Sequence, residues 1–341
     1  MIFYISPMPG LISILTPFKN TEDFISECLD SIVRQSYTNW ELILVNDHSN
    51  DQSLRIAQKY AKRDSRIKVY KNPGEGIISA LRKAYDESSG QFITRMDSDD
   101  IMVPEKLEFM QEDLTKYGTG HIALGKVKYF GENGINEGYL KYENWLNDLT
   151  ESGNNFNEIY KECVIPSPCW MVHREDFEQA QGFNPDRYPE DYDLTFRFFE
   201  HGLKCIPSSR LLHYWRDYPS RTSRNHPHYA QNSFLELKMH YFLKLDFQPK
   251  RVLTIWGAGR KGKTVAKILI QNKVDFKWIC NNPKKIGKKI YGKKLLNFES
   301  LTQLDNPQCI ITVANPHSQV RIRKYLAAKG MKAVEDYFFF C

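Results

Sequence analysis

The stretch Phe92-Ile93-Thr94-Arg95-Met96-Asp97-Ser98-Asp99-Asp100 decides how this chain is read. Phe92–Met96 is a short run of strand length and character, and three carboxylates follow it within four residues. A short apolar run bounded by polar residues reads as a buried strand. Carboxylates crowded at its end repel one another, so something must hold them there. A divalent cation is the usual reason, and an all-oxygen donor set selects Mg²⁺ or Mn²⁺. The plain alternative is a solvated acidic turn, with Asp99 or Asp100 capping the next helix.

The same grammar repeats on both sides of that stretch. Leu11–Leu15 reads as a buried strand, Asn20 and Thr21 as a helix cap, and Phe24, Ile25, Cys28, Leu29, Ile32 and Val33 as the apolar face of a helix. Leu42–Val45 and Ile67–Tyr70 are the next strands, with helices predicted around Leu54–Ala61 and over Ile77–Glu87. Pro104 is expected to open the helix after the acids, at the first helical position where its missing N–H costs nothing. Strands alternating with helices predict an α/β fold with a mainly parallel sheet. Ligands of such sheets bind beyond the carboxyl ends of the strands. The chemistry is therefore expected at Thr16–Asn20, Asn46–Asn50 and Asp97–Asp100.

Residues 131–230 are less regular. Within them Pro189-Glu190-Asp191-Tyr192-Asp193 opens a helix read over Asp191–Glu200, with Gly202 as its C-terminal cap. The helix dipole favours acids at that end for structural reasons alone. The functional reading makes one of them a general base, kept ionised at neutral pH by the dipole and nearby cations. Residues 216–229 read as a basic loop containing Arg216, Arg221, Arg224, His226 and His228, and a helix over Ala230–Leu245 leads onward. Such a loop could close over a diphosphate, with one His completing a metal shell; a solvated basic linker is the alternative.

A second α/β pattern starts at Arg251, with strands at Val252–Trp256, Phe276–Cys280 and Cys309–Val313 and helices at Thr264–Gln271 and Val320–Lys329. Gly257-Ala258-Gly259-Arg260-Lys261-Gly262 is a GxGxxG between a strand and a helix, the context in which a helix N-terminus can hold phosphate. Cys280-Asn281-Asn282 stands where a ribose-binding acid belongs, so productive NAD(P) binding is not expected.

Bulk properties set the bounds. The 341 residues suggest two domains, and 41% hydrophobic content with 13% aromatic suffices for ordinary cores. The net charge of +6 suits an anionic ligand or contact with an acidic membrane surface, and a solvated basic face equally well. Nucleic acid is not among the expected partners. The seven cysteines include no CxxC pair, and most sit in apolar runs, as buried thiols of a reducing compartment do. The apolar N-terminus is interrupted by Pro7, Pro9 and Gly10 and lacks a basic segment, so no signal peptide is expected. A cytoplasmic protein follows, with any association at the inner face of the membrane left to its surface.

Taken in order, SILTPFKN, RQSYTNWELILVNDHS, GIISALRKAYDESSGQFITRMDSDD, PEKLE and PEDYDL resemble the family 2 glycosyltransferases of GT-A fold, over roughly the first two thirds of the chain. The resemblance implies a nucleotide-sugar donor, usually UDP-linked, a divalent metal (Mn²⁺ or Mg²⁺), a glycan or lipid-linked acceptor and inversion at the anomeric carbon. It puts Thr16 and Phe18 in the first donor loop and gives Asp47 the base. Asp97, Ser98 and Asp99 match the DxD motif, with Asp97 and Asp99 on the metal and Asp99 the direct ligand. Asp191 becomes the catalytic base beside Glu190. Arg82, Arg95 and His226 are accessory candidates, Arg82 and Arg95 for phosphate, with a salt-bridge role for Arg95 as the alternative. The sequence departs from the family at Asn46, His48 and Phe18. The last third resembles Rossmann-like domains attached to sugar-modifying enzymes. The expected division is thus 1–229 as GT-A domain, 230–250 as linker helix and 251–341 as Rossmann-like domain. A nucleotide-dependent oxidoreductase or epimerase built on Gly257–Gly262 is the rival, and a catalytically dead binding protein on the same scaffold a third reading. Neither the sugar nor the oligomeric state is legible.

Overall fold

The computed structural model describes residues 10–132, 134–221, 224 and 234–341. They form two compact units, Met1–Asn155 with Val164–His226, and Phe156–Cys163 with Pro227–Cys341.

The first unit is built on a seven-stranded sheet. Its first four strands are β1 (Ile12–Phe18), β2 (Trp40–Asn46), β3 (Ile67–Lys71) and β4 (Phe92–Arg95). These lie parallel in the order β3-β2-β1-β4. All seven residues of β1 and all seven of β2 are buried, the mark of strands covered on both faces. The cover includes α1 (Ile25–Val33), α2 (Ser53–Ala61) and α3 (Gly76–Asp86). On α1 the residues Ile25, Cys28, Leu29 and Ile32 point into one core with Ile14, Leu42 and Leu44. Each such aliphatic side chain contributes about 1.5–3 kcal/mol on burial.

Beyond β4 the direction changes. The two-residue strand β5 (Ile101–Met102), the helix α4 (Lys106–Tyr117), β6 (His121–Leu124) and β7 (Lys126–Phe130) come next. A sixteen-residue helix, α5 (Glu137–Ser152), follows within the stretch read as irregular. Asn136 caps it by accepting hydrogen bonds from the N–H of Gly138 and Tyr139, and Gly153 ends it at φ 69°. Its Tyr139, Tyr142 and Trp145 pack against the core although half-exposed. The chain continues through β8 (Trp170–His173), α6 (Arg174–Gln179), α7 (Glu190–Glu200), β9 (Lys204–Cys205) and β10 (Leu211–Arg216). Strand β8 runs antiparallel between β4 and β6, and β5, β10 and β7 form a separate three-stranded sheet. Pro104 does not open α4. It sits in a turn closed by Lys106 N–H to Val103 C=O at 3.1 Å, and the helix begins two residues later.

The second unit carries a six-stranded sheet of β11 (Val252–Trp256), β12 (Lys277–Cys280), β13 (Lys289–Ile290), β14 (Lys293–Asn297), β15 (Pro307–Ile311) and β16 (Tyr337–Phe339), ordered β13-β14-β12-β11-β15-β16. All pairings are parallel except β13 with β14. Helix α8 (Leu235–Tyr241) precedes the sheet and continues as a π-helical turn over Phe242–Asp246. Helix α9 (Arg260–Gln271) starts four residues earlier than its apolar pattern, and α10 (Pro316–Ala327) closes the unit. Residues 156–163 belong here because Tyr160 stacks on Phe340 at 5.2 Å and meets Phe242 and Phe338 edge-on. All seven cysteines are free thiols, six of them buried. Among the described residues no helix is long and apolar enough to cross a membrane.

Candidate active site

The parallel strands β1, β2 and β4 deliver their carboxyl ends to one edge of the first unit, and the acids read from the sequence lie there. Asp97 follows β4 and accepts a hydrogen bond from Arg95 Nε at 2.8 Å through Oδ1. Its Oδ2 faces the Ser167 hydroxyl at 3.5 Å. Arg95 reaches in the other direction too, from Nη1 to Glu190 Oε1 at 2.9 Å. One buried guanidinium thus joins the acids after β4 to the acids that open α7. Burial alone would lower its pKa, but Asp97, Glu190 and Asp191 surround it with negative charge and raise it. The second oxygen of Glu190, Oε2, is buried with no hydrogen-bond partner.

Asp99 and Asp100 have different surroundings. Asp99 Oδ2 accepts from the Tyr218 hydroxyl at 2.9 Å, and its backbone carbonyl accepts from Arg216 Nε at 2.7 Å. Burial and the neighbouring Asp100 push its pKa up to about 7. Asp100 is fully buried, accepting from Arg216 N–H at 2.7 Å and lying 3.0 Å from His213 Nε2. Behind it the Lys106 ammonium sits 3.3 Å from His213 Nδ1 and donates to the Pro168 carbonyl at 2.5 Å. With Nδ1 accepting from Lys106, Nε2 carries the ring proton and donates it to Asp100. Burial and then the Lys106 charge hold His213 neutral, well below its usual pKa. Asp100 is thereby a structural anchor of the acid loop. Asp97 and Asp99, both half-buried, are the carboxylates that still face outward.

Asp191 accepts a hydrogen bond from the Tyr192 N–H at 2.8 Å. The expectation that the helix dipole and neighbouring cations keep it ionised at neutral pH is corrected here. Burial first, and then the Glu190 charge, push its pKa up to about 7, with Arg95 acting in the opposite direction. Removing a carboxylate from water penalises its charged form, and a neighbouring acid adds to that penalty.

The other sequence-derived candidates are placed as follows. Thr16 is buried near the carboxyl end of strand β1, its hydroxyl without a partner. Phe18 ends the same strand at 2% exposure and packs in the hydrophobic core, so its ring does not line the edge where the acids meet. Asp47 Oδ1 accepts from Asn72 Nδ2 at 2.7 Å and Gly76 N–H at 3.0 Å, while Oδ2 lies 3.4 Å from the half-exposed Lys19 ammonium. Asp47 and Glu190 both help burial raise the pKa of Tyr188, so the end of β2 and the start of α7 bear on one phenol. Ser98 is buried. The Arg82 guanidinium donates to the carbonyls of Phe183 and Asn184 and to Asp186, fastening α3 to the loop before α7. His226 and His228 lie outside the described residues.

Sequence reasoning missed Tyr218, Lys106 and His213. A Tyr after a strand and a Lys in the first turn of a helix carry no local signal of a buried site; the pairing of β10 with β5 brings His213 beneath the acids, and Lys106 reaches it from the start of α4. Arg221, read merely as part of a basic loop, is buried, its guanidinium 5.2 Å from the Trp215 ring and its charge lowering the pKa of Asp99 and Asp100.

The donor set suits a hard divalent cation. Asp97 and Asp99 offer oxygen only and both are partly exposed, whereas Asp100 is fully buried. Among the described residues no three His, Cys, Asp or Glu side chains form a metal cage. Two carboxylates with the remaining positions filled by phosphate and water is how Mg²⁺ sites associated with nucleotides are usually built.

Comparison with known proteins agrees with this geometry. The family model described as glycosyl transferase family 2 matches residues 13–180. EpsE of Bacillus subtilis (strain 168), named as a glycosyltransferase, is 30% identical over 211 residues, covering 60% of this chain and 73% of that protein. EpsJ of the same organism, also named as a glycosyltransferase, is 27% identical over 306 residues, covering 87% of this chain and 86% of its own length. Among solved structures, residues 1–349 of S. aureus TarS in complex with UDP-GlcNAc superpose with a TM-score of 0.51 at 19% identity, covering 76% of this chain and 71% of that one. That likeness concerns the fold, which is of the GT-A type.

Proposed function

Since the chain belongs to glycosyl transferase family 2 and is a nucleotide-sugar glycosyltransferase, we propose that it is an inverting enzyme that moves a hexosyl or N-acetylhexosaminyl group from a UDP-sugar to a hydroxyl of a glycan or lipid-linked acceptor. The observation that carries this reading is the Arg95 bridge, which sets the acids after β4 and the acids at the start of α7 around one space. A donor-side acid pair and an acceptor-side base are what a single displacement needs.

In this reading Asp97 and Asp99 would hold Mn²⁺ or Mg²⁺, whose positive charge would offset the negative charge of the departing diphosphate. Asp47 accepts from the N–H edge of the base through the oxygen nearer Lys19, since Oδ1 is already engaged. Arg221 adds fixed positive charge beside Asp99. Asp191 takes the proton from the acceptor hydroxyl as its oxygen bonds to the anomeric carbon. The bond from that carbon to the phosphate oxygen breaks on the opposite face, and its electron pair leaves with the diphosphate. The configuration inverts, through a transition state like the oxocarbenium species of glycoside hydrolysis. A carboxyl with a pKa of about 7 suits this role, because a general base works best near the operating pH.

We assign the transferase reaction to residues 1–229 apart from 156–163, which pack with the second unit, and a Rossmann-like fold to residues 251–341, with 230–250 as the linking segment. The Rossmann-like assignment rests on the first strand at the sheet centre, the glycine turn and the helix behind it. A cytoplasmic location fits the free, mostly buried thiols.

The test is incubation with a panel of nucleotide sugars and Mn²⁺, read by mass spectrometry. UDP release from one UDP-sugar is expected, with Asp191→Asn slowing turnover by about 10²-fold or more while donor affinity holds. Loss of donor affinity with turnover intact would make Asp191 a binding residue and refute the assignment.

A further inference from the structure

The second unit has a cleft of about 430 Å³ that the transferase reaction does not use. Its floor is the turn between β11 and α9, at Gly259. Arg260, Lys263 and Lys267 line one wall, and Lys285 and Tyr291 the other. Arg260, Lys263 and Lys267 share one face of α9 and span about 10 Å along it. Lys285 reaches over the turn, its ammonium donating to the Ala258 carbonyl at 2.8 Å. Among the described residues none of these four cations is paired with a carboxylate. Moreover, no Asp or Glu lies between Asp275 and Glu299 to balance them. Four unmatched positive charges facing one cavity repel one another, and an anion would relieve that.

The glycines of the turn add an independent observation. Gly257 adopts φ +125°, which an L-residue rarely takes. A Cβ at Gly262 would lie 2.1 Å from the Gly257 carbonyl oxygen, so close packing of helix on strand demands glycine there. Neither reason applies to Gly259. Its backbone conformation is ordinary, and a Cβ there would meet nothing within 4 Å. The space it leaves open is part of the cleft, beside the first turn of α9, which has no side-chain cap. A bare backbone next to uncapped N–H groups lets phosphate oxygens approach.

We propose that this cleft is a second nucleotide site, separate from the transferase centre, that holds a nucleoside diphosphate or its ester. The diphosphate lies along Arg260, Lys263 and Lys267 over the glycine turn, and the base lies beside Tyr291, which is 44% exposed and is held in place by Trp278 stacked at 6.4 Å, with the Lys267 ammonium 5.5 Å from its ring centroid. A diphosphate suits the cluster better than a single phosphate because its two phosphorus centres can meet cations spread over about 10 Å of helix, which one phosphate cannot span. A nicotinamide dinucleotide is disfavoured, because Asn281 stands at the ribose-binding position and its side-chain oxygen already accepts from Trp256 Nε1. The volume falls in the ordinary range for small-molecule sites.

The experiment is equilibrium binding of UDP and of inorganic pyrophosphate to the full chain in chelator, with and without Asp99→Ala to silence the transferase centre. Saturable binding that survives Asp99→Ala is expected. Reversing charge in the exposed pair Lys263→Glu and Lys267→Glu should weaken both probes more than tenfold, with the melting curve unchanged. Tyr291→Ala should weaken UDP about tenfold and leave pyrophosphate unaffected. Gly259→Ala should weaken both without loss of fold. Absence of saturable binding to the Asp99→Ala chain would overturn the proposal. So would binding indifferent to the charge reversal, or charge-dependent capture on phosphatidylglycerol vesicles without nucleotide binding.

Discussion

Replacing Arg95 by Met tests the link on which the active-site reading depends. Arg95 and Glu190 side chains are each 5% exposed, and Asp97 is 19% exposed. Methionine keeps much of the length and apolar stem but leaves Glu190 buried with neither oxygen matched, since Oε2 is already without a partner. Removing one member of a buried pair costs about 3–5 kcal/mol, mostly the penalty of the charge left behind. For a unit of this size that is about 6–20 °C in Tm. Adding Glu190→Gln removes the stranded charge, so the double variant should recover about half of the loss, a coupling measured by a double-mutant cycle. The change should also appear in the chemistry. Arg95 lowers the pKa of Asp191, so without it the acid limb of the rate profile should move to higher pH. Arg95→Lys keeps the charge but cannot reach both carboxylates as a planar fork does, and should fall between parent and Met. Calorimetric melting and a pH series of turnover on the four proteins decide the matter. If Arg95→Met melts within about 2 °C of the parent, or if the double variant is no more stable than the single, the bridge does not hold the site together and the argument fails.

Three further outcomes follow from the same geometry. Turnover should fall as pH drops through about 7, because Asp191 is a base only when ionised. Since the Glu190 charge helps to raise that value, Glu190→Gln should move the limb to lower pH; an unmoved limb would assign the titration to another group. A chelator should abolish transfer and Mn²⁺ or Mg²⁺ restore it, and full activity of Asp99→Ala in chelator would exclude the metal. Calorimetry with NAD should show no micromolar affinity, because Asn281 offers no ribose carboxylate and is occupied by Trp256.

Much of the transferase unit is legible because its strands are continuous apolar runs. Strands β1, β2 and β4 need burial on both faces, so the sequence around them can be little else, and their ends locate Asp47, Asp97 and Asp99. Helix α5 is not legible in the same way. Its buried residues are only Leu146 and Thr150, and its attachment comes from half-exposed aromatics, so no apolar stripe announces it. The Asn136 cap and Gly153 were the available signals. Helix α9 hides its first turn for another reason: Arg260, Lys261, Gly262 and Lys263 are poor evidence of a helix until the strand packing that demands Gly262 is known.

The site divides along a similar line. Which acids are present is local information, but what each does depends on neighbours far along the chain. Asp97, Asp99 and Asp100 look alike in sequence, yet folding gives them separate tasks. Asp100 is taken by His213 and Arg216, more than one hundred residues away, and Lys106 backs the His213 ring. That network neutralises one carboxylate in the interior and fixes the backbone of the loop. A buried polar network is costly unless its hydrogen bonds are met, and here they are met, with Pro168 accepting from Lys106. The expense makes sense only if the loop must be rigid, because two outward carboxylates can share a cation only when their spacing is fixed. The same reasoning corrects Asp191. Read alone it is an ordinary acid at a helix start; buried beside Glu190 and within the field of Asp97, its pKa is raised to about 7, the range the proposed base needs. The motif names the atoms; burial among one another raises their pKa values, and Arg95, Arg221 and Lys106 act against that rise.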